Sequence, residues 1–132
     1  MGRYYQGDIN GKFWVAVQSS DDADNFGVAG EFPPADHLHY HFTEDHLSDI
    51  EKGISKCKSK LADKKEKLDQ FFKDNNGYNN EMIIEYFKRN FDLTVTEDDI
   101  NTLLVYYARL ALGEQILDCV KKNGECSFEA EC

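Results

Sequence analysis

Two spacings of apolar residues run through this chain, one of two residues and one of three to four. Between Asp36 and Phe42, the apolar Leu38, Tyr40 and Phe42 alternate with His37, His39 and His41. A period of two puts the apolar set on one face of a strand and the histidines on the other. Further upstream, Tyr4–Ile9 and Lys12–Gln18 flank Asn10-Gly11, a pair that accepts the positive φ angles of a two-residue hairpin turn. Such a turn would set Ile9 opposite Lys12 and Gly7 opposite Trp14. Its two faces would carry Tyr5, Ile9, Trp14 and Ala16 on one side and Tyr4, Phe13, Val15 and Val17 on the other. Strands apolar on both faces are expected to be covered twice. Glu125 to Cys132 alternates once more, with Cys126, Phe128, Ala130 and Cys132 on one face, and is expected as a last strand returning to the hairpin.

The longer spacing begins at Thr43. Leu47, Ile50, Ile54, Cys57, Leu61, Lys64, Leu68 and Phe71 recur every three or four residues, a heptad-like stripe with one lapse at Lys64. A single helix over this stretch would run about 46 Å, more than the roughly 36 Å expected across a compact body of this size. It must therefore bend, with Gly53 the expected place, or project. Gly77 is expected to stop it. A second helix is predicted over Glu81–Asn90, burying Met82, Ile83, Tyr86 and Phe87. A third follows the capping box Thr96-Glu97-Asp98-Asp99 and runs to about Lys122, apolar nearly all round and so deeply buried. Ser19–Gly27 is predicted to hold one short helical turn with Ser20 as N-cap, and Pro33-Pro34 to lie in a loop.

Together these elements predict an α+β fold in a single domain spanning residues 1–132. A small antiparallel sheet, made of the N-terminal hairpin, the histidine strand and the C-terminal strand, packs against three helices, one of them long. With 132 residues and 41% hydrophobic side chains, the chain can close one core.

Charge narrows the partners. The net charge is −10, and residues 1–50 hold 2 basic and 9 acidic side chains against 13 and 16 over the rest. Phosphate backbones need a cationic footprint, so direct nucleic-acid binding is not expected. Membrane insertion is not expected either, because apolar runs such as Phe13–Val17, of five residues, are short where about eighteen are needed. The N-terminal residues lack the apolar stretch of a secretory signal. Cys57, Cys119, Cys126 and Cys132 show neither CxxC spacing nor the density of a secreted scaffold. A cytoplasmic location is the expectation, with Cys57 and Cys119 as small buried apolar residues. Twelve Lys against three Arg, with two Pro, is the usage of AT-rich genomes, viral and phage genomes among them.

Three constellations could carry chemistry. Alternate histidines on a strand lie about 6.7 Å apart, so His37 and His39, or His39 and His41, could share a zinc or other transition-metal ion. The third ligand would have to come from elsewhere, with His46, Asp22 and Asp24 the candidates. The same histidines serve equally as the wet face of an amphipathic strand. The acidic run Asp21-Asp22-Ala23-Asp24 could hold a hard cation, or be the solvated start of a short helix. Phe71–Phe87 compares poorly with a calcium loop: with Gly77 at the glycine position, Phe72 and Ile83 stand where the first and last ligands should be. No nucleophile elbow, phosphate-cradling glycine loop or metalloprotease helix is found.

A non-enzymatic accessory or protein-interaction module is the leading expectation. It would act through an acidic surface that includes Asp21, Asp22 and Asp24, or through the helical stripe of Leu47, Ile50, Ile54, Leu61 and Leu68. The partner would be a protein, a second copy or another chain. The alternative is a metal-dependent enzyme or metal-binding domain built on His37, His39 and His41.

Overall fold

The computed structural model describes residues 4–14, 18–30, 37–75 and 77–131, with backbone alone at His37 and Glu131. The expectations for Val15, Ala16 and Val17, for Asp36, for Pro33 and Pro34, for Asn76 and for Cys132 lie outside the described residues, as does the side chain of His37.

Alternation makes the sheet. The C-terminal strand β4 (Glu125–Glu131) sits inside it, paired along its whole length with β3 (His37–Thr43), from His37 opposite Glu131 to Thr43 opposite Glu125. On its other side lies β1 (Tyr4–Gly7), with Tyr5 opposite Ala130 and Gly7 opposite Phe128. The two-residue β2 (Gly11–Lys12) completes an antiparallel sheet of order β2-β1-β4-β3. Leu38, Tyr40, Phe42, Cys126, Phe128 and Ala130 are buried on one face. Phe128 stacks between its two neighbours, with centroids 5.2 Å from Tyr40 and 6.2 Å from Phe42. Burying each such ring stabilises the fold by about 1.5–3 kcal/mol.

Helices cover that face. α4 (Glu97–Asn123) packs on β4 and β3 and also on α1 (Leu47–Leu61) and α3 (Asn80–Phe91). Contact on several sides explains why its apolar residues encircle it. Its start is the predicted capping box, with the Asp99 N–H donating to Thr96 Oγ1 at 3.1 Å and the Thr96 N–H to Asp99 Oδ2 at 3.0 Å. Its end is Gly124 at φ 81°, a left-handed conformation that glycine adopts without steric cost. α2 (Lys64–Asp74) completes the set, and the buried side chains form one contiguous core. Among the described residues, no helix is long and apolar enough to cross a membrane.

Several local expectations are corrected. The hairpin does not turn on Asn10-Gly11: Tyr4 faces Lys12 and Tyr5 faces Gly11. Gly7 faces Phe128 rather than Trp14. Pairing with β4 decides this register, because the Asp8 N–H donates to Ser127 O at 2.8 Å and the Ser127 N–H to Asp8 Oδ2 at 2.9 Å. Gly7, at φ 146°, packs so closely on the Ser127 and Phe128 backbone that a Cβ there would collide. Among the described residues the sheet is also covered once, not twice, since Tyr4 is 48% exposed beside buried Tyr5. Trp14 leaves the sheet and packs on Phe72, Tyr78 and Tyr107.

The long first helix is broken in two, and the break falls at Ala62 (φ 49°, ψ −131°), not at Gly53. Gly53 stays helical inside α1, and Phe26 and the Asn25 carbonyl occupy the space that a side chain there would need. Breaking at Ala62, just before the lapse at Lys64, re-aims the second half so that Leu68 and Phe71 still reach the core. α2 is then capped by Asn75, not by Gly77. In α3, Ile83 and Phe87 are buried as expected, whereas Met82 is 38% exposed. The short turn is a 3-10 helix over Asp22–Phe26, preceded by Asp21 rather than Ser20 and closed by Gly27 at φ 99°.

Candidate functional site

The face of the sheet turned away from the helices carries the histidines. His39 and His41 point away from the core because Leu38, Tyr40 and Phe42 point into it. Glu125, Ser127 and Glu129 share the same outer face of β4 by register. His39 Nδ1 lies 3.8 Å from Glu129 Oε1, and His41 Nε2 lies 3.9 Å from Glu125 Oε2. All four side chains are about half exposed, between 47% and 62%. His39, His41, Glu125, Ser127 and Ala29 border an open concavity of about 400 Å3. Each imidazole thus faces its own carboxylate. Among the described residues, no three His, Cys, Asp or Glu side chains come together as a metal-holding group.

None of the three candidate third ligands lies on this face. His46 sits beyond the end of β3, where its Nδ1 accepts the Thr43 N–H at 3.0 Å and its ring packs edge-on to buried Phe42. It caps a short 3-10 helix over Glu44–His46 that leads into α1. Asp24 Oδ1 accepts the Tyr40 hydroxyl at 2.5 Å and the Gly30 N–H at 3.0 Å. Since Tyr40 and His39 point to opposite faces of β3, Asp24 is on the core side.

Asp22 is further still from solvent, at 3% exposure. One of its oxygens takes Arg109 Nε at 2.9 Å, the other takes Gln18 Nε2 at 2.8 Å, and Asn25 Nδ2 reaches its carbonyl at 2.7 Å. Gln18 in turn accepts the Trp14 N–H at 3.0 Å. This network ties the loop before β3 to α4, so Asp22 is neither a solvated cap nor part of an acidic surface. Asp21 and Asp24 remain exposed.

The helical stripe is likewise internal. Ile50, Ile54, Leu61 and Leu68 are buried in the core, and Leu47 packs against it. Packing of α1 on α4 takes up the α1 residues and Leu68 of α2 joins the same core, which leaves no stripe to offer a partner.

A second concavity, of about 430 Å3, lies between α2 and the end of α3 and includes Lys67, Asp69, Lys73 and Phe91. Several of its charges are paired: Lys67 reaches Asp63 at 3.0 Å, and Asp69 takes Lys65 at 2.8 Å and the Tyr107 hydroxyl at 2.5 Å. Burial and the Asp69 bond push the Tyr107 phenol well above its ordinary range.

Sequence reasoning missed Arg109 and the placement of Cys119 against the Glu125 carbonyl at the start of β4. Arg109 was signalled by position, as the lone cation in the run Tyr106-Tyr107-Ala108-Arg109-Leu110; a charge inside an apolar helix implies a buried partner. The Cys119 contact had no such signal, because six residues of separation say nothing about a helix and a strand folding back on each other.

Comparison of the chain with protein-family models, with curated proteins and with solved structures found no match.

Proposed function

We propose that this chain is a non-enzymatic protein-interaction module that works in the cytoplasm and binds a basic protein partner through the outer face of its sheet. The observation that supports this reading is the arrangement of that face. Its histidines and glutamates are splayed in one-to-one pairs across two strands, half exposed and uncovered, whereas catalysis needs groups that converge on a reacting atom. With the helical stripe and Asp22 taken up internally, this face and the exposed Asp21 and Asp24 are what remain of the surfaces the sequence singled out. Its carboxylates favour a cationic partner and repel phosphate backbones.

The test is the binding of a fluorescent lysine-rich peptide at low and moderate salt. Wild type is compared with Glu125→Lys/Glu129→Lys and with Glu97→Lys/Asp98→Lys, which changes net charge equally at the far end of α4. Affinity should fall much further in the sheet-face variant. Equal losses in both would mean that net charge, not this face, governs binding, and the reading would fail.

A second reading, a face that binds zinc or another transition metal, is favoured by His39, His41 and Glu125 bordering one concavity. A side-chain rotation would have to bring them to about 2.0–2.2 Å from a shared ion. Stoichiometric metal in protein purified without a tag, lost in His39→Ala, would support it; metal-free wild type after incubation with zinc would reject it.

A further inference from the structure

Thr43 ends β3, and the chain turns there into the short 3-10 helix over Glu44–His46 and then into α1. The turn is closed by a capping box in which His46 stands where Glu or Gln is usual. Its Nδ1 accepts the Thr43 N–H at 3.0 Å and lies 3.2 Å from Thr43 Oγ1. The ring is half-buried and held edge-on to buried Phe42, with 6.1 Å between centroids. The strand register explains why the Thr43 amide depends on this ring. Ser127 directs its N–H and its carbonyl to Asp8, so the pair His41–Ser127 is not hydrogen-bonded, and alternation puts Thr43–Glu125 in the same class. The Thr43 N–H therefore points away from β4, and His46 supplies its acceptor.

We propose that His46 is a pH-sensitive clasp between β3 and α1: neutral, it holds the Thr43 amide; protonated, it releases that amide and loosens the joint between the histidine strand and the helices. A ring nitrogen accepts a hydrogen bond only while it carries no proton. The Thr43 bond thus fixes neutral His46 as the tautomer protonated on Nε2. Imidazole is the side chain that changes charge between about pH 5 and 8, and once both nitrogens carry protons Nδ1–H would face the Thr43 N–H. Carboxylates stand around the turn and give the charged ring other partners. Glu44 and Asp45 lie within it, Asp49 is in the first turn of α1, and Glu125 is opposite Thr43 on β4. Glu44 also reaches Gly124 at the end of α4. The Thr43 bond is complete above the range in which the imidazole titrates and is lost as pH falls through it. This holds whatever binds the outer face of the sheet.

The experiment measures amide hydrogen exchange by NMR on the full chain at about pH 7.5 and about pH 5, each rate corrected for the intrinsic pH dependence of exchange. The expected result in wild type is a roughly three- to tenfold fall in Thr43 protection at the lower pH, the size of one lost hydrogen bond, with Tyr40 in the middle of β3 unchanged. In His46→Gln, whose side-chain oxygen accepts at either pH, Thr43 should keep its protection. The proposal is overturned if wild-type Thr43 is equally protected at both pH values or if His46→Gln loses as much. It is overturned too if Tyr40 loses protection along with Thr43, because the whole fold would then have loosened. A second measurement needs no variant. Imidazole nitrogen shifts should show His46 protonated on Nε2 and bare on Nδ1 at the higher pH, and the opposite tautomer overturns the proposal.

Discussion

Asp22 and Glu129 are both carboxylates facing a nitrogen of their own chain, yet their surroundings differ. Asp22 meets Arg109 Nε at 2.9 Å and is 3% exposed; Glu129 meets His39 Nδ1 at 3.8 Å and is 47% exposed. Each Asp22 carboxylate oxygen takes an internal donor, Arg109 or Gln18, Asn25 holds its main-chain carbonyl, and burial keeps outside ligands away. Glu129, among the described residues, faces one loosely placed ring. Buried charge fixes a loop against a helix and is costly to disturb. Exposed charge contributes little to stability and stays available for recognition. The comparison shows why charge on its own is a poor guide to a site: the richer acidic cluster in the sequence is the one used up in folding.

Removing Asp22 should have the largest effect. Asp22→Ala leaves Arg109 and Gln18 without their acceptor, and a loss of about 3 kcal/mol is expected, measured by urea unfolding. A loss below about 0.5 kcal/mol would place Asp22 with ordinary surface residues and erase the contrast.

Tyr40→Phe, which deletes the hydroxyl held by Asp24, should cost about 1.5–2 kcal/mol as a bond to a charged acceptor. The same position predicts a pH effect. Burial, then the Asp24 bond, hold the Tyr40 phenol well above its ordinary value, so the folded state favours the neutral form. Its contribution is complete below the unfolded-state pKa of about 10 and is lost as pH rises beyond it. Wild-type stability should therefore fall more steeply above pH 10 than that of Tyr40→Phe. Parallel curves would detach Tyr40 from the network.

On the outer face, His39→Ala and His41→Ala should each change stability by less than about 0.5 kcal/mol. Glu125→Gln and Glu129→Gln should be as mild. A loss above 1 kcal/mol in any of these four would mean that the pairs hold the sheet together, and would remove the main support for a recognition face.

Much of the fold was legible because local patterns and long-range contacts agree. Leu38, Tyr40 and Phe42 alternate and are buried; Thr96 to Asp99 form the capping box that their spacing predicts; Gly27 and Gly124 end helices in left-handed conformations. Legibility failed where two local choices were close in energy and a distant partner selected between them. Asn10-Gly11 suits a tight turn, but β4 pairs with β1 and sets another register. The stripe from Leu47 to Phe71 suits one helix, but a straight one would outrun the body it covers, and Ala62 breaks it. The candidate site was half legible. Alternation placed His39 and His41 on the open face, but it could not say that Asp22, Asp24 and His46 belong to the core side.

The sequence by itself determined the α+β class, both ends of α4 and the faces of β3 and β4, because each follows from spacings and cap residues within a few positions. The tertiary structure alone decided the strand order, the break at Ala62, the pairing of Asp22 with Arg109 and the meeting of Cys119 with the Glu125 carbonyl. Those joins depend on packing between segments distant along the chain or folded back on one another, and no local spacing records them.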